Sequence, residues 1–262
     1  MISVEIPVVS GIYLKAVLES LRMQTNQQYE VVIVNSSVQP AIGDMIQSYD
    51  VKEVKLQTGL LNARFVAHQT SIGERELFLD ETRVLKKNAL ETLEKLQSDM
   101  VIVAEREAGK SIWSRLTDID RRIVIQSCRP SDLSPSRTIL LPRYFRRTIL
   151  NQTFESLRQK LSNEIFLRII NGDHSLIYKE AYGFSKSLEI IKEPLIIHCG
   201  DDSLRKIVTK YYRYGKSDKI RIASALNSPQ LRPKRSRPIQ YTFLLIPLIV
   251  ARSGAYLAGL LL

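Results

Sequence analysis

Tyr29-Glu30-Val31-Val32-Ile33-Val34 is the run whose reading decides the fold. Its density of β-branched residues around one charge marks a strand buried on both faces, as strands of a parallel sheet are. Upstream, Leu14, Val17, Leu18 and Leu21 recur at helical spacing within 13–23, and 2–7 reads as another strand. Downstream the two periods keep alternating. Helices are predicted over 41–48, 59–71 and 87–96, and strands over 51–56, 76–79 and 100–104. Strands alternating with helices imply right-handed βαβ units, hence an α/β fold with an open, mainly parallel sheet flanked by helices. Ligands of such sheets bind beyond the carboxyl ends of the strands, so the segments after Ile6, Val34 and Leu79 come first in a search for chemistry.

The second half is less regular. Helices are expected over 112–126, 154–161, 164–170 and 174–183, a short strand over 138–141, and strand-like runs over 188–191 and 195–198. A basic helix over 203–214 follows, with Asp202 as its N-cap. Pro229, Pro233 and Pro238 mark 227–239 as a linker before an apolar segment, 240–262. The sequence therefore divides into 1–104, 105–226, the linker and the tail.

The 262 residues are 44% hydrophobic and 25% charged, ordinary globular usage that excludes disordered and collagen-like chains. Cys128 and Cys199 are too few for a disulfide framework or a four-cysteine zinc site, and suit a reducing compartment. The net charge of +11 is uneven: residues 1–100 carry −3 and residues 101–262 carry +14. Residues 205–262 hold 12 basic side chains against one acid, Asp218. Such a tail points to a polyanion, either nucleic acid or an anionic membrane. Met1 runs directly into a strand, without the pattern of a targeting signal. The tail approaches the roughly 20 residues that span a bilayer, but Arg252, Pro247 and Ser253-Gly254 interrupt it. One or two helices in or partly entering the interface are expected, the alternative being a buried helix or hairpin of the core. Arg232, Lys234, Arg235 and Arg237 favour the membrane. Deleting 240–262 is then expected to release the protein from membranes and leave the head folded.

Three strand ends carry signals. Pro7 stops the first ladder, and Val8-Val9-Ser10-Gly11 turns the chain toward a helix. Asn35-Ser36-Ser37 offers small polar groups for a base or ribose. Phe78-Leu79-Asp80-Glu81 sets two acids where a buried strand emerges, which suits a hard divalent cation held against phosphates. A local turn or cap explains Asp80 about equally well. His68 reads as solvated on a helix face, His174 as a polar helix start, and His198 as structural although Asp201 is near. No Gly-rich phosphate loop is present.

Taken in order, these segments resemble the family-2 glycosyltransferases, inverting enzymes of the GT-A fold. Ser3-Val4-Glu5-Ile6-Pro7 is similar to their first strand, Tyr29–Val34 to their second, and Leu61-Asn62-Ala63-Arg64-Phe65 to their Leu-Ala-Arg-Asn-Gly stretch. Phe78-Leu79-Asp80 meets the start of their Asp-x-Asp motif. Leu141-Pro142-Arg143-Tyr144-Phe145-Arg146-Arg147 resembles the segment before their acceptor helices, Gly172-Asp173-His174 their Glu-Asp region, and Lys210-Tyr211-Tyr212-Arg213-Tyr214-Gly215 their Gln/Arg-x-x-Arg-Trp element. The likeness spans about 1–217. Asn35-Ser36-Ser37 replaces an acid-bearing segment, and Thr82 replaces the second motif acid.

The resemblance implies transfer of a sugar from a nucleotide-sugar donor, with inversion; the basic helix and apolar tail point to a lipid-linked phosphate or glycan as acceptor, at the cytoplasmic face of the cell membrane. It implies a nucleotide-sugar-binding half over 1–104 and an acceptor half over 105–226. Asp173 would be the catalytic base. Pro7, Val8, Asn35, Arg64, Asp80, Lys210 and Arg213 would bind the donor, and Asp80 would hold a divalent cation, magnesium or manganese. With Thr82 in place of the second acid, the alternatives are marginal metal use, Arg83 substituting some of the positive charge, or lost turnover. No nucleic-acid partner is expected. The rival readings are a non-catalytic relative binding nucleotide or glycan in a membrane complex, and a nucleic-acid binder using the basic half.

Overall fold

The structure is a computed structural model that describes residues 1–223 and 239–262. The expected linker lies outside the described residues except for its last residue, as do Arg232, Lys234, Arg235 and Arg237. In chain order the first elements are β1 (Ile2–Val8), α1 (Leu14–Arg22), β2 (Tyr29–Asn35), α2 (Pro40–Gln47), β3 (Lys52–Lys55), α3 (Leu60–Thr70), β4 (Arg75–Phe78), β5 (Arg83–Leu85), α4 (Ala89–Glu94) and β6 (Met100–Glu107). They are followed by α5 (Ile112–Ser127), β7 (Tyr144–Arg146), α6 (Arg147–Lys160), α7 (Asn163–Arg168), α8 (Asp173–Phe184), β8 (Leu188–His198), α9 (Leu204–Ala223) and α10 (Ile239–Leu261).

The strands form one sheet in the order β3-β2-β1-β4-β7-β6-β8-β5. β1 runs parallel to β2 and β4, and β2 to β3, while β7 is antiparallel to β4 and β6. Every residue of β1 is buried, as its place between two parallel neighbours requires. Along β2 the side chains alternate between two apolar faces. Val31 and Ile33 join the core with Leu14, Leu18 and Ile46, whereas Val32 and Val34 pack with Ala63 and Ala67 of α3. Two-sided burial is what the opening run predicts.

The chain makes two compact units: Met1–Ala104 with Leu141–Ile197, and Glu105–Leu140 with His198–Leu262. Segment 141–197 returns to the first unit because β7 is inserted between β4 and β6. The strand expected over 138–141 does not form. Pro142 has no N–H to give a ladder, and pairing begins beyond it at Tyr144. The two runs expected at 188–191 and 195–198 are one strand, β8, which continues through Pro194. The neighbouring Lys192 and Glu193 are solvent-exposed, so the missing N–H costs little there.

In the second unit, Leu116 and Ile123 of α5, Ile207 of α9, and Leu245 and Leu248 of α10 close one core. α9 begins one residue later than expected. The Ser203 hydroxyl accepts the Lys206 N–H, while Asp202 pairs with the Lys206 ammonium. α10 is a single helix through Pro247 and Ser253-Gly254, held by Leu245 and Leu248 on either side of the proline. Its Tyr241–Leu261 stretch is long and apolar enough to cross a membrane, with mean hydropathy 1.8 and 28% burial. Leu245, Leu248, Arg252 and Ala255 face inward, and Phe243, Val250, Leu257 and Leu261 form an exposed apolar stripe. Arg252, the interruption noted in the sequence, pairs with Asp120 at 2.6 Å and donates to Thr117. The tail supplies part of the second unit's core, a contact that the expected clean release on deleting 240–262 did not include.

Candidate functional site

The strand register sets the first edge of the site. Val8, the last residue of β1, lies opposite Asn35, the last of β2, and Pro7 lies opposite Val34. Asn35 is buried, with its Nδ2 donating to Glu53 and its Oδ1 accepting the Ser37 N–H. An open pocket of about 350 Å³ beside it is lined by Asn35, Ser37, Pro40, Asp44, Lys55 and Gln57. Its polar, mixed-charge lining suits a base or ribose.

The next edge is the turn from β4 to β5. Arg83 grips both carboxylate oxygens of Asp80, and the Thr82 hydroxyl donates to Oδ1 at 3.0 Å. Arg83 thus lies where a cation would sit. Glu81 turns the other way. Its Oε2 accepts N–H groups of Val9, Ser10 and Gly11 at 3.0, 3.1 and 2.8 Å, and its Oε1 takes the Ser10 hydroxyl. Three successive N–H groups aimed at one carboxylate form an anion nest. The turn requires Gly11: its φ is +67°, and a Cβ there would approach Ile42 Cδ1 to 2.6 Å. This clamp was not foreseen, because nothing local in Glu81's sequence points across 70 residues to the first loop.

Arg64 joins the strand ends to the helical segment. It is buried on α3, donates from Nη1 to the Glu5 carbonyl at 3.1 Å, and lies 4.9 Å over the Phe78 ring. Its Nε stands 3.7 Å from Asp173, the first residue of α8. Burial lowers the guanidinium's pKa, opposed by the nearby Asp173, Asp80 and Glu5 charges. Asp173 is pushed above the usual aspartate value by burial, partly offset by Arg64, while Asp80 adds to the rise. Asp80 and Asp173 are thus within electrostatic reach of one another and of one arginine. His174 is buried, held neutral by desolvation and by Arg64 and Arg143, and its Nε2 lies 3.8 Å from Asp173. A buried aspartate that prefers a proton, with one cation at arm's length, can act as a base.

Lys210 and Arg213 belong to α9 in the second unit. Lys210 pairs with Asp201 at 3.0 Å; burial opposes its charge, but Tyr214 and Asp201 raise its pKa overall. Arg213 is exposed.

Among the described residues, two groups of side chains bring acids and a histidine close enough to hold a metal: Glu5, His68 and Glu76, and Glu107, His198 and Asp201. Asp80 is in neither. With one carboxylate, already spanned by Arg83, and Thr82 beside it, the Asp80 turn as it stands does not offer a cation's ligand set. His68, expected to be solvated, is buried, with Nδ1 2.8 Å from Glu76 and its ring 5.0 Å from that of Phe154. The available sequence signal was a charged residue inside each of two apolar strands, Glu5 and Glu76.

No family model matches the chain, and no curated protein matches it. Solved structures do. A crystal structure of S. aureus TarS superposes over 99% of this chain at 16% identity and TM-score 0.56, and the chain covers 54% of that protein. TarS 1-349 in complex with UDP-GlcNAc matches over 99% of this chain at 16% identity, TM-score 0.54, with 89% of the other chain covered. The same piece in complex with UDP matches over 87% of this chain at 18% identity, TM-score 0.53. The chain spans about half the length of the full TarS structure. Together with the mixed sheet and its flanking helices, the likeness identifies the architecture: this chain has a GT-A-like fold.

Proposed function

We propose that this protein is a glycosyltransferase that moves a sugar from a nucleoside-diphosphate donor, with inversion, to a lipid-linked phosphate or glycan at the cytoplasmic face of a membrane. The observation that carries the reading is the buried Arg64, set between Asp173 and the Asp80 turn at the strand ends. Its support in the fold is the likeness to TarS, solved with UDP and with UDP-GlcNAc. In this mechanism Asp173 takes the proton of the acceptor hydroxyl as that oxygen bonds to the anomeric carbon. The bond from that carbon to the diphosphate breaks on the opposite face, and the diphosphate leaves with the electron pair. Arg83 is proposed to swing from Asp80 onto the departing charge, so the chain itself supplies much of the role that the resemblance gives to a divalent cation. The nucleoside end is assigned to the pocket beside Val8 and Asn35. The donor roles of Lys210 and Arg213 rest on the sequence resemblance alone. The exposed stripe on α10 supports a membrane-borne acceptor.

The test is release of nucleoside diphosphate, and labelling of lipid acceptors, from a panel of nucleotide-sugars with the full chain on anionic vesicles. Turnover is expected with at least one donor, lost in Asp173→Asn, weakened in Asp80→Ala, and largely kept in EDTA. A donor that binds without any transfer or hydrolysis would favour the second reading, a binding protein of this fold. The engagement of Asn35 by Glu53 and of Asp80 by Arg83 is the observation on its side.

A further inference from the structure

We infer that Glu5, His68 and Glu76 form a buried site for a divalent transition-metal ion. Glu5 is at the centre of β1 and fully buried; among the described residues no N–H or hydroxyl donates to its carboxylate oxygens, whose side-chain partner is the Glu76 carboxyl. Glu76, on the neighbouring strand β4, is also fully buried. His68, on α3, hydrogen-bonds through Nδ1 to the two Glu76 oxygens at 2.8 and 3.0 Å. One ligand atom from each of the three residues lies within 4.8 Å of the others. A bare carboxylate in an apolar interior is costly, and the cost is met by a proton or a cation.

The surrounding cations are committed elsewhere. Arg147 donates to Glu76 Oε1 at 2.9 Å. Arg64 spends Nη1 on the Glu5 backbone carbonyl and turns Nε toward Asp173. The other acid–histidine group differs on this point. There Lys210 pairs with Asp201, Arg121 lies 3.3 Å from Glu107, and the Asp201 N–H donates to Glu107 Oε1. That group pairs its carboxylates with a lysine and an arginine; here Arg147 reaches Glu76, and no cation donates a hydrogen bond to Glu5. One imidazole and two carboxylates suit zinc, manganese or iron(II) better than magnesium. Arg147 and the Phe154 ring then act as an outer shell that orients Glu76 and His68. All three ligands are closed off from solvent, so the ion is taken up as the chain folds. The inference does not depend on the proposed reaction.

The experiment uses the full chain, refolded from denaturant with zinc sulfate or with EDTA, then dialysed. Zinc content and melting temperature are measured, and cobalt(II) is substituted for its visible absorption spectrum. The expected result is about one zinc per chain, with a melting temperature about 5–10 °C above that of the EDTA sample. Cobalt is expected to give intense bands of a low-coordinate site, and Glu5→Gln and His68→Gln to remove both bands and zinc. Asp201→Asn is expected to leave both in place. Metal-free protein with the same melting temperature in zinc and EDTA would overturn the inference and leave Glu5 and Glu76 sharing a proton. Loss of the metal in Asp201→Asn, with retention in Glu5→Gln, would overturn it equally. Since the natural chain gives the first two readouts, the inference stays falsifiable even if a variant fails to fold.

Discussion

The first unit buries Glu5 with no donor, Asp173 with Arg64 3.7 Å away, and Glu76 on Arg147. The second sets Asp201 on Lys210, Asp120 on Arg252 and Asp118 on Arg106. Titration follows the pairing except at Glu76 and Glu107, where burial outweighs Arg147 and Arg121. Burial pushes Asp201 and Asp118 up, but Lys210 and Arg106 overrule it and both end below the usual range. Burial wins at Glu5 and Asp173, and Glu76 is raised to about 7. Glu107 is the exception in the second unit: burial and the neighbouring Asp201 outweigh Arg121 and lift it to about 7. A saturated ion pair holds a shape, whereas a buried acid short of a counter-charge is left to exchange a proton or hold a ligand.

The sharpest test of this contrast is Asp173→Asn, which removes the unsaturated acid of the proposed site. A fall of about 10²–10⁴-fold in turnover with an unchanged melting curve is expected; an unchanged rate would break the contrast on the first unit's side. On the other side, Arg252→Met strands Asp120 in the core and is expected to cost about 3–5 kcal/mol in denaturant unfolding. If stability is unaffected, the second unit is not held by its ion pairs. Glu81→Ala empties the nest at Val9–Gly11 and is expected to weaken nucleotide binding by about 1.5–3 kcal/mol, read by calorimetry. Equal affinity would make the clamp incidental to the site.

The smallest effect is a slope. In the chain refolded in EDTA, Glu76 and Glu107 bind protons more tightly folded than unfolded, so their contribution is complete below the unfolded value of about 4.3. It is lost as pH rises through about 7, the folded value of both. Asp201 and Asp118, with lowered values, contribute in the opposite sense and lose stability as pH falls through their folded range. Melting temperature of the EDTA-refolded chain is expected to decline from weakly acidic to neutral pH, and Glu76→Gln to flatten that limb. An unaltered slope in the variant would remove Glu76 from the account.

The alternation of strand and helix through residue 104 was legible because each element carries its own period. The runs around Val31, Leu18 and Met100 would read the same in isolation. Later elements were less so. A three-residue strand such as β5 or β7 is shorter than any period, and β8 runs through a proline that normally punctuates a strand. Among site residues, the positions of Asp80 and Asp173 could be proposed from order and spacing. Their common neighbour Arg64 was matched to a stretch of sequence, with no hint of its place between them.

The sequence by itself determined the class of fold, the strand ends at which polar residues gather, and an apolar segment at 240–262. These are local properties, readable from the spacing of side chains along one element. Tertiary structure decided what each charge meets. Arg83 lies on Asp80, Glu81 closes the first loop, Arg252 enters the second unit's core, and Glu5 faces another carboxylate. A carboxylate's role depends on which opposite charge, dipole or proton lies within a few ångströms, and most of those partners come from residues distant in the chain.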